Sequence, residues 1–300
     1  MEKSLRAFCL LHRITALWKT PLSDYTSFRI GGTADAVLLP DTEMALSLLL
    51  SFLKTEEIPF RVIGNGTNLL FADEGFRGAI VSTRHMRGIT VVENTVRAAA
   101  GTPLNVLCRT LADRSLGGLA PLYGIPGTVG GAVVMNAGAF GATISDHLTY
   151  ASVYHADEGR VETLARKDLR FSYRHSLFYD KKDVAILSAE FCFPRVNSEN
   201  IREKMRQVLE KRMETQPTAL PSAGSAFLKP EVGYAAAWIE KAGLLGKRVG
   251  GAAVSTKHAG FIVNLGGATA EDVLSLIDEI RNEVEKRFGV LLIPEIEYIS

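Results

Sequence analysis

Features that would assign this chain at a glance are scarce. Its 300 residues hold three cysteines, Cys9, Cys108 and Cys192, odd in number and far apart. That excludes a disulfide framework and a paired-thiolate metal site, and a reducing, cytoplasmic setting is expected. Charge of one sign is missing too: 34 Lys and Arg against 33 Asp and Glu leave a net +1, so there is no basic field for nucleic acid. Nowhere do eighteen apolar residues run together, which excludes a membrane-spanning helix. Arg6, His12 and Arg13 interrupt the first apolar residues, so no secretion signal is expected. The six histidines form no i,i+4 pair, and the expected metal content is none. No internal repeat of domain-building period is visible.

Against these absences stands one dense segment, Gly124-Ile-Pro-Gly-Thr-Val-Gly-Gly-Ala-Val-Val-Met-Asn-Ala-Gly-Ala-Phe-Gly141. Six of its eighteen residues are glycine, yet Ile125, Val129, Val133, Val134, Met135 and Phe140 are threaded between them. A flexible linker would be polar and poor in branched side chains. Glycines inside an apolar segment instead let backbone approach a ligand closely, and freed N–H groups form concave anion sites. A phosphate-bearing cofactor is the expectation, with a ligand-free buried turn as the alternative. The spacing Gly124, Gly127, Gly130, Gly131 matches neither the Rossmann fingerprint nor a Walker loop.

Hydrophobic periodicity outlines the rest. A leading helix carries Leu5, Phe8, Cys9 and Leu11, and turn and strand fill 22–40. A helix capped by Asp41 or Thr42 runs to Lys54 with Leu46, Leu49, Leu50 and Leu53 inward. Strands are expected at 60–63, 69–71, 79–82, 89–92 and 95–99, then a helix from Pro103. Beyond the glycine segment, 148–155, 160–165 and 184–193 read as antiparallel strands. A charged helix covers 197–215, and the Pro-containing 216–222 connects to the last segment. There a helix starts at Tyr234, a strand lies at 261–264, and 270–288 is a helix with a Thr269/Asp272 capping box. Its stripe is Val273, Ile277, Ile280, Val284 and Phe288, and an apolar strand spans 291–299. The fold class is α+β.

A second glycine-dense loop, Gly64-Asn-Gly-Thr-Asn68, also occurs. Alone it is a weak signal, because Asn-Gly is an ordinary hairpin turn. Two such loops, each expected to leave a β segment, can hold one diphosphate from both sides. Three polar residues stand out further on: Arg174 between aromatic ends, Ser225 in an apolar loop, and Glu295 after Pro294. Each has a plain structural alternative: an ion pair for Arg174, a turn cap for Ser225, a solvent-facing strand position for Glu295. Ser225 lacks a nucleophile elbow, and the nearest histidine, His258, reads as structural or supporting.

Taken in order, Gly64-Asn-Gly-Thr-Asn-Leu-Leu70, Gly124–Gly131, Asn136-Ala-Gly-Ala-Phe-Gly141, Tyr173-Arg-His-Ser176, Gly224-Ser225 and Pro294-Glu295 resemble the UDP-N-acetylenolpyruvoylglucosamine reductase (MurB) family of flavoenzymes. The resemblance runs from about Thr26 to the C-terminus. It implies a two-part FAD-binding domain of the vanillyl-alcohol-oxidase/PCMH type plus a smaller α+β substrate-binding domain. The implied layout is a helix and lead-in over 1–25, the FAD domain over 26–195, helix and linker over 196–221, the substrate domain over 222–290 and a final strand over 291–300 returning near the flavin. Implied FAD contacts are Gly64, Asn65, Gly66, Thr67, Asn68, Leu69, Gly124, Ile125, Pro126, Gly127, Thr128, Gly130, Gly131, Asn136, Gly138 and Ala139.

The resemblance further implies NADPH as hydride donor and UDP-N-acetylglucosamine enolpyruvate as substrate, within peptidoglycan precursor synthesis. Arg174 and Glu295 then stabilise charge on the enolpyruvyl group, Ser225 resembles the proton donor, and Arg174 and Lys229 contact substrate. Neither His nor Cys lies in 64–68 or 124–141, so non-covalent FAD is expected, which counts against a covalently tethered sugar or lactone oxidase. A catalytically silent nucleotide-binding module is the third reading. Partners other than substrates are not expected, in a monomer or weak oligomer. Departures from the family pattern are Ala226, Leu228 and Glu297. Fifty residues between Arg174 and Ser225 leave no room for an inserted tyrosine loop, the mark of a compact subtype.

Overall fold

Helices and strands are mixed along the chain in the order that periodicity predicts, with a few exceptions. A computed structural model describes residues 2–300. Its first elements are α1 (Glu2–Leu11), β1 (Thr15–Pro21), β2 (Thr33–Leu39), α2 (Glu43–Thr55), β3 (Phe60–Ile63), β4 (Leu69–Phe71), β5 (Phe76–Ser82), β6 (Ile89–Val92) and β7 (Thr95–Ala99). Next come α3 (Leu104–Asp113), α4 (Val129–Val134), β8 (Gly138–Ala139), β9 (Ala142–Thr143), β10 (Leu148–His155), β11 (Arg160–Ala165), β12 (Val184–Cys192) and α5 (Ser198–Thr215). The last are β13 (Ser222–Ser225), α6 (Ala235–Lys241), β14 (Arg248–Val249), β15 (Ala252–Val254), β16 (Phe261–Asn264), α7 (Ala270–Phe288) and β17 (Glu297–Ile299). Two compact units share the chain by turns. The first runs to Trp18, then takes Ala36–Asn65 and Gly78–Glu210; the second takes Lys19–Asp35, Gly66–Arg77 and Lys211–Ser300.

In the first unit α2 begins where Thr42, in extended backbone, accepts the Ala45 N–H through its hydroxyl at 3.1 Å. That satisfies one donor the helix itself cannot pair. Leu46, Leu49, Leu50 and Leu53 are fully buried in a core with Ala36, Leu38, Ala79, Val81 and Leu187. Burial of such a side chain contributes about 1.5–3 kcal/mol. Strand order is β1-β2-β5-β3 in one sheet, with β3 and β5 parallel, and β11-β10-β12-β7-β6 in a second, antiparallel sheet. Alternation splits β12 between two cores: Ala185 and Leu187 join the leucines of α2, while Ile186 joins a second core with α3 and α4.

Helix α4 lies inside the glycine-dense segment and was not expected. Glycine disfavours helix by about 1 kcal/mol per residue relative to alanine. Burial of Val129, Ala132 and Val133 outweighs that here. The segment also does not leave a β strand, as the loop reading supposed; a 3-10 turn at Ala120–Leu122 precedes it.

In the second unit the sheet order is β13-β16-β15-β14, antiparallel throughout. Helix α7 packs with it through Val273, Leu276, Ile277, Ile280 and Val284, and Gly289 ends the helix at φ +66. The expected strand at 291–299 shrinks to β17, which pairs in parallel with β4. Pro294 makes only an isolated bridge with Phe227, since a proline has no N–H to donate to a ladder.

The start of α7 is heavily capped. Asp73 accepts the N–H groups of Ala270 and Glu271 at 2.8 and 3.2 Å. Thr269 Oγ1 accepts from Asp272 N–H at 3.0 Å, and the Asp272 carboxylate accepts from Thr269 and Gly251 N–H at 3.1 and 3.0 Å. Those two backbone donors hold the Asp272 carboxyl below its ordinary 3.8. A carboxyl whose folded pKa is depressed stabilises the fold above its unfolded value and loses that contribution as pH falls through the folded one. Asp272→Ala should therefore cost about 1 kcal/mol at neutral pH. The gap in Tm from the wild type should narrow as pH drops from about 5 to below 3; thermal melts across that range check it.

Candidate functional site

Gly64 and Asn65, the part of the shorter glycine-dense loop that lies in the first unit, meet the longer glycine-dense segment there. Strand β3 delivers the chain to Gly64, where Thr83 Oγ1 and Ser82 Oγ donate to the carbonyls of Ile63 and Gly64 at 3.2 and 3.3 Å. Asn65 Nδ2 then donates to Pro126 O at 2.9 Å. A Cβ on Gly64 would lie 2.3 Å from Thr128 Oγ1, so only glycine allows this approach. Thr128 is 1 % exposed, and its hydroxyl has no hydrogen-bond partner among the described residues. Asn136, 6 % exposed, has its Oδ1 in the same condition. A buried polar atom left unpaired costs about 1–3 kcal/mol, which a ligand group in the seam would recover. Two such atoms within the one glycine-dense segment fit a polar, phosphate-bearing cofactor.

Individual positions sharpen that fit. The N–H groups of Val129 and Gly130 are committed to the carbonyls of Thr102 and Ala100 at 2.9 and 2.8 Å. A Cβ on Gly130 would sit 3.0 Å from that of Ala100. Gly130 is thus needed for close packing, and its N–H and that of Val129 are already bonded within the protein. Asn136 and Phe140 both adopt left-handed backbone, with φ of +42 and +49. Arg174 reaches this segment: its Nη1 donates to Gly138 O at 3.1 Å, and its guanidinium lies 5.5 Å from the Tyr173 ring centroid.

A second group of expected residues assembles in the second unit. Ser225 ends β13 opposite Phe261 of β16, and its hydroxyl donates to Phe227 O at 3.1 Å. The next residue receives the other site segment: Glu295 N–H donates to Ala226 O at 2.9 Å, and Leu228 N–H donates to Ile293 O at 2.9 Å. Asn68 Nδ2 donates to Glu295 O at 2.9 Å, while Glu297 N–H donates to Asn68 O at 3.0 Å. Glu295 is 9 % exposed, which rules out the solvent-facing alternative. Gly66, at φ +64, would place a Cβ 2.1 Å from Tyr25 O, so the Asn65-Gly66 turn requires glycine. Lys229 is exposed, with Nζ 5.1 Å from the Tyr234 ring centroid.

His258 has a structural place here. Its Nδ1 accepts the Gly260 N–H at 3.1 Å, its ring meets Phe261 edge-on, and burial lowers its pKa. It supports the turn into β16, the strand that aligns Ser225. Among the described residues no cluster of three or more His, Cys, Asp or Glu could hold a metal ion. No helix among them is long and apolar enough to cross a membrane.

Comparison with known proteins identifies the family. Residues 34–165 match the FAD binding domain family, and residues 216–299 match the UDP-N-acetylenolpyruvoylglucosamine reductase C-terminal domain. The UDP-N-acetylenolpyruvoylglucosamine reductase of Caldanaerobacter subterraneus subsp. tengcongensis is 41 % identical over 280 residues, 93 % of this chain and 92 % of that one. The chain belongs to the UDP-N-acetylenolpyruvoylglucosamine reductase family. The crystal structure of the Thermus caldophilus family member, MurB, superposes with a TM-score of 0.80 at 33 % identity, covering 96 % of this chain and 99 % of that one. A berberine bridge enzyme variant shares the fold over part of the chain, at a TM-score of 0.51 and 15 % identity over 65 % of this chain and 44 % of that one. The fold class of this family member is therefore the expected α+β, with an FAD-binding domain of the PCMH type.

One family-motif residue had no role assigned from sequence: Ser176 is fully buried and bonds to the glycine segment, and motif membership was its only signal. Asn68, expected as an FAD contact, ties Glu295 to the loop after Gly66. Gly64→Ala is expected to destabilise the fold by about 1–3 kcal/mol, as overpacking does. In the double variant with Thr128→Ala the clash is gone and most of that loss should return. Denaturant melts of the four proteins give the coupling between the two sites.

Proposed function

We propose that this chain reduces UDP-N-acetylglucosamine enolpyruvate to UDP-N-acetylmuramate with NADPH, in peptidoglycan precursor synthesis. The observation that carries this reading is the bond from Arg174 to Gly138 O, which mounts a carboxylate-gripping cation on the cofactor segment itself. Non-covalent FAD, when bound, supplies the hydride relay between NADPH and the enolpyruvyl carbon. Thr128, Asn136 and the glycine backbone at 64–68 and 124–139 would hold it. We assign FAD binding to 26–195 and substrate binding to 222–290, with 291–300 completing the site, in a cytoplasmic monomer or weak oligomer.

The remaining chemistry falls to three side chains. Hydride arriving at the terminal methylene carbon pushes negative charge onto the neighbouring carbon and its carboxylate. Arg174 stabilises that charge, because its planar fork matches a carboxylate in two parallel hydrogen bonds. Glu295, carrying or sharing a proton, adds a hydrogen bond to the same group. Ser225 then gives its proton to the charged carbon, after its hydroxyl turns away from Phe227 O, and recovers a proton from solvent. Both carbons end saturated, and the ether to the sugar is untouched. Exposed Lys229 provides a positive charge for the substrate diphosphate.

Purified protein should be yellow and release flavin on denaturation; colourless protein that cannot be reconstituted would exclude the reading. In Ser225→Ala, NADPH should still bleach the flavin in anaerobic stopped flow. Reoxidation by the enolpyruvyl substrate should slow by about 10²–10³, the usual effect of losing one group that acts in the transition state. Unchanged reoxidation would remove Ser225 from the reaction.

A further inference from the structure

Arg174 sits at the tip of a two-residue turn. Ser172 N–H donates to His175 O at 3.0 Å and His175 N–H returns to Ser172 O at 3.3 Å, leaving Tyr173 and Arg174 between them. Arg174 holds φ +55 at the second tip position. Turns that need positive φ there normally take glycine or asparagine, because a larger L side chain crowds the following carbonyl. An arginine left to itself would relax toward negative φ and swing its guanidinium elsewhere. Strain of this kind persists only where the surroundings over-determine it.

Two side chains supply that constraint, one on each flank. Before the tip, Asn136 Nδ2 donates to Ser172 O at 2.9 Å. After it, Ser176 Oγ donates to Val134 O at 2.7 Å and accepts the Phe178 N–H at 3.2 Å. Ser176 is 0 % exposed, so both bonds are shielded from water. Val134 ends α4, whose Val129 and Val133 are buried in the core, so the turn is latched to a rigid element rather than to a loop. Asn136 is itself left-handed, a conformation its residue type tolerates.

We propose that Ser176, assisted by Asn136, is a positioning residue: its bond to Val134 O keeps Arg174 in the left-handed turn, so that the guanidinium is preset for the substrate carboxylate. The inference rests on the role given to Arg174 under the proposed function. Preset charge acts where charge develops, in the transfer to the enolpyruvyl group. Reduction by NADPH involves no such charge and is independent of the latch.

Ser176→Ala removes the latch with little change in volume, and Ser176→Cys keeps a weak donor and folds where the alanine variant does not. Expected in anaerobic stopped flow is flavin bleaching by NADPH within twofold of wild type. The limiting rate of reoxidation at saturating enolpyruvyl substrate should fall about 10- to 100-fold in the alanine variant, with cysteine between it and wild type. A crystal structure of the alanine variant should show Arg174 out of left-handed backbone; where only the cysteine variant folds, its reoxidation must still be slower than wild type while NADPH reduction is not. Equal slowing of both half-reactions, unchanged reoxidation, or Arg174 retaining φ near +55 in the alanine variant would overturn the latch. If wild-type enzyme is itself not reoxidised by the substrate, the proposed function fails instead, and the Arg174 backbone in the alanine variant still decides the latch.

Discussion

Burial of Val129, Ala132 and Val133 is what gives the glycine-dense segment a shape. Glycine backbone has the largest conformational freedom to lose on folding, so such a segment cannot order itself. Apolar anchors drawn into the core of the first unit order it instead. The rest of that unit's site depends on this anchoring. Thr128 can then face Gly64, Asn65 can bond across to Pro126, and the carbonyls of Val134 and Gly138 are fixed where the Arg174 loop needs them. The proposed cofactor cradle and the Arg174 turn therefore share one support.

The second unit solves a related problem by backbone pairing. Ser225 and Glu295 are separated by most of the C-terminal region, and α7 lies between them in the chain. Adjacent hydrogen bonds, Glu295 to Ala226 and Leu228 to Ile293, bring their segments side by side. Pro294 sits between the bonded positions and cannot extend the ladder. The chain is thus free to leave the pairing at once and enter β17 beside β4. A continuous strand over 291–299 would have carried regular alternation through this stretch. The broken one buries Glu295.

Elements with a strong local signal were legible from the residues alone. Leucine spacing and a threonine cap marked α2, and the Thr269/Asp272 box with its apolar stripe marked α7. Alternating apolar residues marked β10, β11 and β12. Helix α4 was missed because local propensity opposes it and only tertiary burial overrides that. Strand β1 was also missed, since its half-exposed alternation is interrupted by Lys19 and ends in Pro21. The capping role of Asp73 was hidden because its partners lie about two hundred residues away in the chain.

For the proposed site, residue identity limited the chemistry that could be assigned: glycine where backbone must approach closely, arginine as a partner for a carboxylate, serine and glutamate as groups able to carry a proton. Motif order was enough to indicate the family. The sequence could not decide which groups touch, because hydrogen bonds such as Asn65 to Pro126, Ser176 to Val134 and Glu295 to Ala226 join residues that no local pattern relates. Only the packed structure shows that Thr128 Oγ1 and Asn136 Oδ1 are buried without partners among the described residues, and that Arg174 is held in left-handed backbone. Residue types limit what a site can do. Whether a polar group is satisfied or a backbone strained depends on the neighbours that folding brings to it.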